Sequence, residues 1–193
     1  MMLEFLSSCI IRLLTLPPGA GGGLGHLAVQ FASRALALRV IGIDHSSKKS
    51  IVLESGAEHF FQIDNPEKPL PEAVQALTNG LGAHAVIVLT AANAAYAQAV
   101  EMLRFGGRVV CVGVPEGTPV PIATALPQML VGKALSIVGV AVGDRREAKE
   151  CLEFAARGIV KPHFRLEKLE KLTSVFEEMD QGKLQGRVVL DLQ

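Results

Sequence analysis

The chain has 193 residues, with 19 Lys+Arg against 19 Asp+Glu, 49% hydrophobic and 20% charged. That length suffices for one domain with a proper core, and the composition excludes a disordered chain. Balanced charge leaves no basic field for nucleic acid. No apolar stretch approaches the ~20 residues of a membrane helix. Met1 to Leu16 is apolar but carries Glu4 and Arg12, and it lacks the basic start and small-residue cleavage site of a signal peptide. Cys9, Cys111 and Cys151 lie far apart, in no C-x-x-C pair. They read as reduced, mostly buried thiols, which places the protein in the cytoplasm.

Taken in order, strand-like and helix-like segments alternate, which argues an α/β fold with a mostly parallel sheet. Leu13 to Leu16 is an apolar run followed by a glycine loop, Gly19-Ala20-Gly21-Gly22-Gly23-Leu24-Gly25, and by helical spacing through Leu38. A second run, Val40-Ile41-Gly42-Ile43, ends on Asp44. Strand, glycine turn, helix, strand, acid is the physical description of a dinucleotide site. Glycines let the backbone approach a pyrophosphate, and the helix start offers N–H groups and a positive dipole end. An acid within the window of ~20 residues accepts hydrogen bonds from ribose hydroxyls. Alanine at 20 stands where the fingerprint usually has its first glycine. A flexible surface loop, or a βαβ turn with no ligand, is the competing reading. A carboxylate at 44 would repel the 2′-phosphate of NADP, which favours NAD. Lys49 could reach the same ribose, or it is a solvated surface lysine.

Further on, Ser46 or Ser47 can cap a helix running to about Ser55 and stopped at Gly56. His59 to Ile63 is a third strand, and a helix covers about Glu72 to Thr78. Ala85 to Leu89 is a continuously apolar strand of the kind covered on both faces. A helix from Ala91 to Leu103, a strand from Arg108 to Val114 and a short helix near Thr124 to Leu130 follow. Ala134 to Val142 is the sixth strand, and Asp144 caps a helix to about Arg157. Pro162 to Asp180 contains an amphipathic helix with Leu166, Leu169, Leu172 and Phe176 at helical spacing, and Gly186 to Leu192 is a last strand. The expected fold is a doubly wound, mostly parallel six-stranded sheet of the Rossmann type with a helix-strand tail. The binding crevice lies at the carboxyl ends of the strands, near Gly22, Asp44, Thr90 and Val112-Gly113.

From Pro18 to its end the chain resembles the NAD-binding half of a zinc-dependent alcohol dehydrogenase, a medium-chain dehydrogenase/reductase, of the yeast and fungal kind. The resemblance is carried by GAGGGLGHLAVQFA at 19–32, RVIGID at 39–44, GRVVCVGVP at 107–115, LSIVG at 135–139 and GKLQGRVVLDL at 182–192. It implies that Gly22, Gly23 and Leu24 wrap the pyrophosphate, while Asp44 and Lys49 hold the adenosine ribose. Val112, Gly113, Val140 and Val142 would line the nicotinamide side, and Arg187 would reach the pyrophosphate. Without the resemblance, Arg187 reads as an exposed strand arginine. The implied organisation is an NAD-binding domain at 1–161, with 1–11 atypical, and a tail at 162–193 that packs on a catalytic domain.

That catalytic domain carries the family's zinc ligands and proton relay, and its motifs do not occur in these residues. Cys111 and Cys151 do not match ligand positions. His26, His45, His59, His84 and His163 show no ligand spacing and read as surface or packed histidines. The expected protein is therefore an NAD-binding, alcohol dehydrogenase-like oxidoreductase domain, inactive alone in alcohol oxidation. Two other readings stand beside it: a zinc-independent NADH-dependent reductase of small carbonyl compounds, and a non-catalytic dimerising module. Residues 135–141 form an apolar strand with no lysine or proline inside the run, as an edge that pairs with a second copy would be. A strand buried within the monomer is the ordinary alternative. The tail, lacking the domain it packs on, is expected to be weakly ordered or to show an exposed apolar patch.

Overall fold

The structure, a computed structural model, describes residues 13–16 and 19–193. The expectations for 1–11 and for Cys9 lie outside the described residues. Among the described residues, eight strands form two sheets, the larger being six parallel strands in the order β3-β2-β1-β4-β5-β6. These are β1 (Leu13–Leu16), β2 (Arg39–Asp44), β3 (His59–Gln62), β4 (Ala83–Val88), β5 (Leu103–Cys111) and β6 (Ser136–Gly139). This is the doubly wound order expected of two mononucleotide-binding halves. The chain reverses its direction of strand addition between β1 and β4, where Leu14 pairs with Ala85 and Thr15 with Val86.

Continuous apolar character in β2 and β4 follows from cover on both faces. One core layer gathers Ile41, Ile43, Val86, Val88 and Met102 with the helices α3 (Leu70–Leu77) and α4 (Asn93–Glu101). The opposite layer gathers Val29, Val40, Val52, Ile87 and Val110 with α1 (Gly25–Gln30) and α2 (Lys49–Glu54). Alternate residues of one strand therefore serve opposite layers, Val40 one and Ile41 the other, as the two-residue period of a strand requires. Gly42 lies in close contact with α2, since a Cβ there would come 2.2 Å from Val52 Cγ1.

Several boundaries depart from expectation for local reasons. α1 continues into a π-helical turn at Phe31–Ala35. Neither Ser46 nor Ser47 caps α2. The chain enters through a 3-10 turn, Ser46–Lys48, with His45 in the capping position, while the Ser46 N–H donates to Asp64 Oδ1 at 3.0 Å. β6 is shorter than 134–142 because Ala134 (φ 50°) and Val142 (φ 36°) turn out of the extended region at its two ends. β5 ends at Cys111, and the N–H groups of Val112 and Gly113 both donate to the Val88 carbonyl, at 3.0 and 2.9 Å. Of the thiols, Cys111 is half-buried and Cys151 is exposed, against the expectation of buried cysteines.

After α5 (Pro127–Gly132), α6 (Arg145–Ala156) opens with the expected Asp144 cap. It is a reciprocal box in which Glu147 N–H donates to Asp144 Oδ1 and Asp144 N–H donates to Glu147 Oε2. The tail holds a strand where helical spacing suggested a helix. β7 (Phe164–Lys168) pairs in parallel with β8 (Arg187–Asp191), and only after a 3-10 turn at Leu169–Lys171 does α7 (Leu172–Asp180) begin. Apolar residues at 164 and 166 alternate with charged ones at 165 and 167, a two-residue period that outweighed the coincidental 166-169-172-176 spacing.

The tail and the residue before it, Lys161, are bonded to α1 and to the glycine loop. Gln30 Nε2 donates to Lys161 O, and Lys161 N–H donates back to Gln30 Oε1, both at 2.8 Å. Gly186 N–H donates to Gly21 O at 3.0 Å, and within the tail Arg187 N–H donates to His163 O at 2.9 Å. The tail also exposes Phe164, Leu166, Leu169, Phe176, Met179 and Leu192, apolar surface of the kind anticipated above.

Candidate functional site: the glycine loop at the sheet's switch point

β1 delivers the chain to the carboxyl edge of the sheet beside β4, and the loop 19–25 turns there against Thr90. Gly25 has no alternative at this turn, because a Cβ would sit 1.8 Å from Gly19 O and 2.7 Å from the Ala20 backbone. Gly21 is buried, Gly22 and Gly23 are half-buried, and Leu24 is exposed at the start of α1. The first N–H groups of a helix have no partner inside it and face outward. Beside Gly23 runs the tail: a Cβ there would lie 3.3 Å from Gly186 O and 3.6 Å from Arg187 Cγ. The Arg187 side chain thus reaches the loop.

Asp44, at the end of β2, is only 2% exposed. Its Oδ2 accepts the Gly21 N–H and its Oδ1 the His45 N–H, both at 2.8 Å. An ionised carboxylate oxygen accepts more than one hydrogen bond, so acceptor capacity for hydroxyl donors remains. The lysine beside it is Lys48, with Nζ 3.8 Å from Oδ1. Lys49 is exposed and lines a different groove with Phe60, Gln62 and Pro66. The tight 3-10 turn brings the fourth residue after Asp44 back over it. Sequence reasoning passed over Lys48, although an i,i+4 acid–lysine spacing was there to read.

A second residue is His26, read from the sequence only as a surface or packed histidine and wholly buried on α1. Its Nδ1 lies 2.8 Å from Gly22 O, and its Nε2 accepts the His163 N–H at 3.0 Å. The second bond fixes the tautomer: Nε2 is bare, so Nδ1 carries the hydrogen and donates to Gly22. Burial holds the ring's pKa below its ordinary value; the Gly22 bond opposes this, and His163 and Arg187 reinforce it. His26, Val29 and Gln30 are all buried, an i, i+3, i+4 face that would have marked the histidine as packed.

On the other side of the crevice, Gly113 is held close to β4, where a Cβ would fall 2.2 Å from Thr90 O. Tyr96 Oη donates to the Gly113 carbonyl. Burial pushes both the Tyr96 hydroxyl and the Cys111 thiol upward. Val112 and Val140 are half-buried and pack on the core layer that also holds Ala20 and Val29. Val142 is 94% exposed on the turn after β6. The structure therefore gathers Gly22, Gly23, Leu24 and Arg187 around one loop with Asp44 beneath it. Val112, Gly113 and Val140 lie across the crevice, Val142 is on the exposed turn after β6, and Lys49 lines a different groove.

A glycine turn at the topological switch point, a helix start, an acid at the end of the second strand and a nearby arginine define a dinucleotide-binding domain of the Rossmann class. Among the described residues, no cluster of three or more His, Cys, Asp or Glu side chains is placed to hold a metal ion, so a zinc site does not fit them.

The chain belongs to the zinc-binding dehydrogenase family, whose pattern it matches over residues 23–157. It is 56% identical over 182 residues to alcohol dehydrogenase 2 of Emericella nidulans, covering 90% of this chain and 49% of that protein. It is 43% identical over 176 residues to an alcohol dehydrogenase of Schizosaccharomyces pombe, covering 91% of this chain and 49% of the relative. Among solved structures, an alcohol dehydrogenase from Aeropyrum pernix superposes with a TM-score of 0.85 at 25% identity, over 98% of this chain and 53% of that one. The chain thus spans about half the length of the curated relatives it matches. No helix among the described residues is long and apolar enough to cross a membrane.

Proposed function

We propose that this chain binds NAD(H) at the glycine loop and orients its nicotinamide for hydride exchange, as the nucleotide-binding half of an alcohol dehydrogenase-like oxidoreductase. The observation that carries the reading is the Gly21 N–H to Asp44 Oδ2 bond of 2.8 Å, which holds loop and acid together at the switch point. In this reading the loop at Gly22, Gly23 and Leu24 meets the pyrophosphate and Arg187 adds a cation to it. Asp44 accepts the ribose hydroxyls. Val112, Gly113, Val140 and Val142 shape the nicotinamide side, and Lys49 is a peripheral contact at most, given its exposure. The bound nicotinamide supplies the hydride chemistry. NAD is preferred over NADP, since the Asp44 carboxylate repels a 2′-phosphate.

Residues 1–161 act as the nucleotide domain, and the tail from 162 receives the other half of the dehydrogenase on its exposed apolar side. The chain by itself does not oxidise alcohols; zinc-dependent NADH formation from ethanol by the purified chain would contradict this. β6, the last strand of the sheet, pairs with its counterpart in a second copy, and Val138→Lys is expected to halve the mass measured by light scattering. Calorimetric titration with NADH, NADPH and ADP-ribose tests the central claim. Saturable binding of NADH and ADP-ribose is expected, and no heat with either ends the reading.

A further inference from the structure

The preference for a dinucleotide without a 2′-phosphate rests on Asp44 acting as an anion, and Asp44 does not stand alone. Lys48 Nζ lies 3.8 Å from its Oδ1, with the two side chains only 10% and 2% exposed. A charge pair this sheltered is screened far less than one on the surface. Lys48 is also held in place. The missing side chain of Gly21 makes room for its stem, because a Cβ there would fall 2.7 Å from Lys48 Cβ and 3.2 Å from Lys48 Cδ. Gly21 in turn donates its N–H to Asp44 Oδ2 at 2.8 Å. Loop, acid and lysine therefore close a triangle, with the lysine stem seated over Gly21 and its ammonium beside the acid.

We propose that Lys48, packed over Gly21 and paired with Asp44, sets how strictly the site rejects a dinucleotide carrying a 2′-phosphate. This rests on the nucleotide-binding reading above. The acid alone would present a full negative charge to the phosphate. The lysine offsets that charge and adds a cation within reach of the same sugar edge, so the wild-type site discriminates less than its acid implies. For ribose hydroxyls the effect is small, because hydroxyls carry no net charge and Asp44 keeps its acceptor oxygens with or without Lys48.

The test measures dissociation constants for NADH and NADPH by nicotinamide fluorescence and calorimetry on the full chain and on Lys48→Met, which keeps the alkyl stem over Gly21. NADPH is expected to bind about tenfold more weakly to Lys48→Met, and NADH to change by less than about threefold, steepening the preference. Asp44→Asn should shift the ratio the other way. If Lys48→Met loses its far-ultraviolet circular dichroism, Lys48→Gln is read against the same expectation, with Lys48→Arg as the charge-preserving control that keeps the wild-type ratio. An unchanged ratio in a folded variant that still binds NADH overturns the role of Lys48 and leaves the nucleotide reading standing. A wild-type chain that binds neither nucleotide ends both.

Discussion

Replacing His26 by leucine keeps apolar bulk in a sealed slot and removes both ring nitrogens. Gly22 O then loses the Nδ1–H donor at 2.8 Å, and the His163 N–H loses its Nε2 acceptor at 3.0 Å. A buried polar group left without its partner costs about 1–3 kcal/mol. Two such groups, both half-buried, put the loss at about 2–4 kcal/mol. For a chain of this size that is a fall in melting temperature of about 5–15 °C. The pH dependence sharpens the test. Because burial holds the folded His26 below its ordinary value of 6.5, the unfolded chain binds the proton more readily. The His26 contribution is therefore complete above about pH 6.5 and is lost progressively as pH falls towards the lower folded value. Protonation would place a hydrogen on Nε2, facing the His163 N–H, with the Arg187 charge nearby opposing it. Carboxylates held low, such as Glu58, Asp64 and Asp144, act at more acidic pH and are common to both proteins. Melting followed by circular dichroism from about pH 8 to about pH 5 should show wild type losing its advantage as the solution is acidified. A His26→Leu protein that melts within about 2 °C of wild type at neutral pH, or whose curve runs parallel to it, would refute the argument.

Gly42→Ala drives a methyl to 2.2 Å from Val52 Cγ1 and should cost about 1–3 kcal/mol in chemical denaturation, with little change in the slope of the transition. Arg187→Ala removes the cation beside Gly23, and NADH affinity should fall about fivefold to tenfold with a shallower salt dependence in calorimetry. Asp144→Ala abolishes the reciprocal cap of α6 and should lower stability by about 1 kcal/mol while leaving nucleotide affinity unchanged.

The main sheet was legible because its strands are short apolar runs punctuated by glycine, and because a βαβ chain has few ways to wind. The Asp144 box could be read for a similar reason, since its partners lie three residues apart. What escaped depends on contacts distant in sequence or on turns tighter than a helix. β7 is a strand because β8 pairs with it, and the local alternation at 164–167 is too short to name a partner so far along the chain. The length of β6 was overstated because the positive φ at Ala134 and Val142 leaves no mark in residue type. Lys49 drew attention over Lys48 because an ordinary helical entry was assumed where a 3-10 turn occurs. Of the two expectations for the tail, weak order or an exposed apolar surface, the exposed apolar residues are seen, while His26 on α1 and Gly21 in the loop hold the tail by direct hydrogen bonds that the sequence does not announce.

That attachment has a consequence in time. Gly21 is synthesised early, whereas Gly186 and Arg187, which brace the loop it belongs to, follow about ten to thirty seconds later at ordinary elongation rates. A growing chain on the ribosome can thus complete all six strands of the parallel sheet while its glycine loop still lacks a strut. Coenzyme present during translation can lend the early product little protection until that last strand emerges.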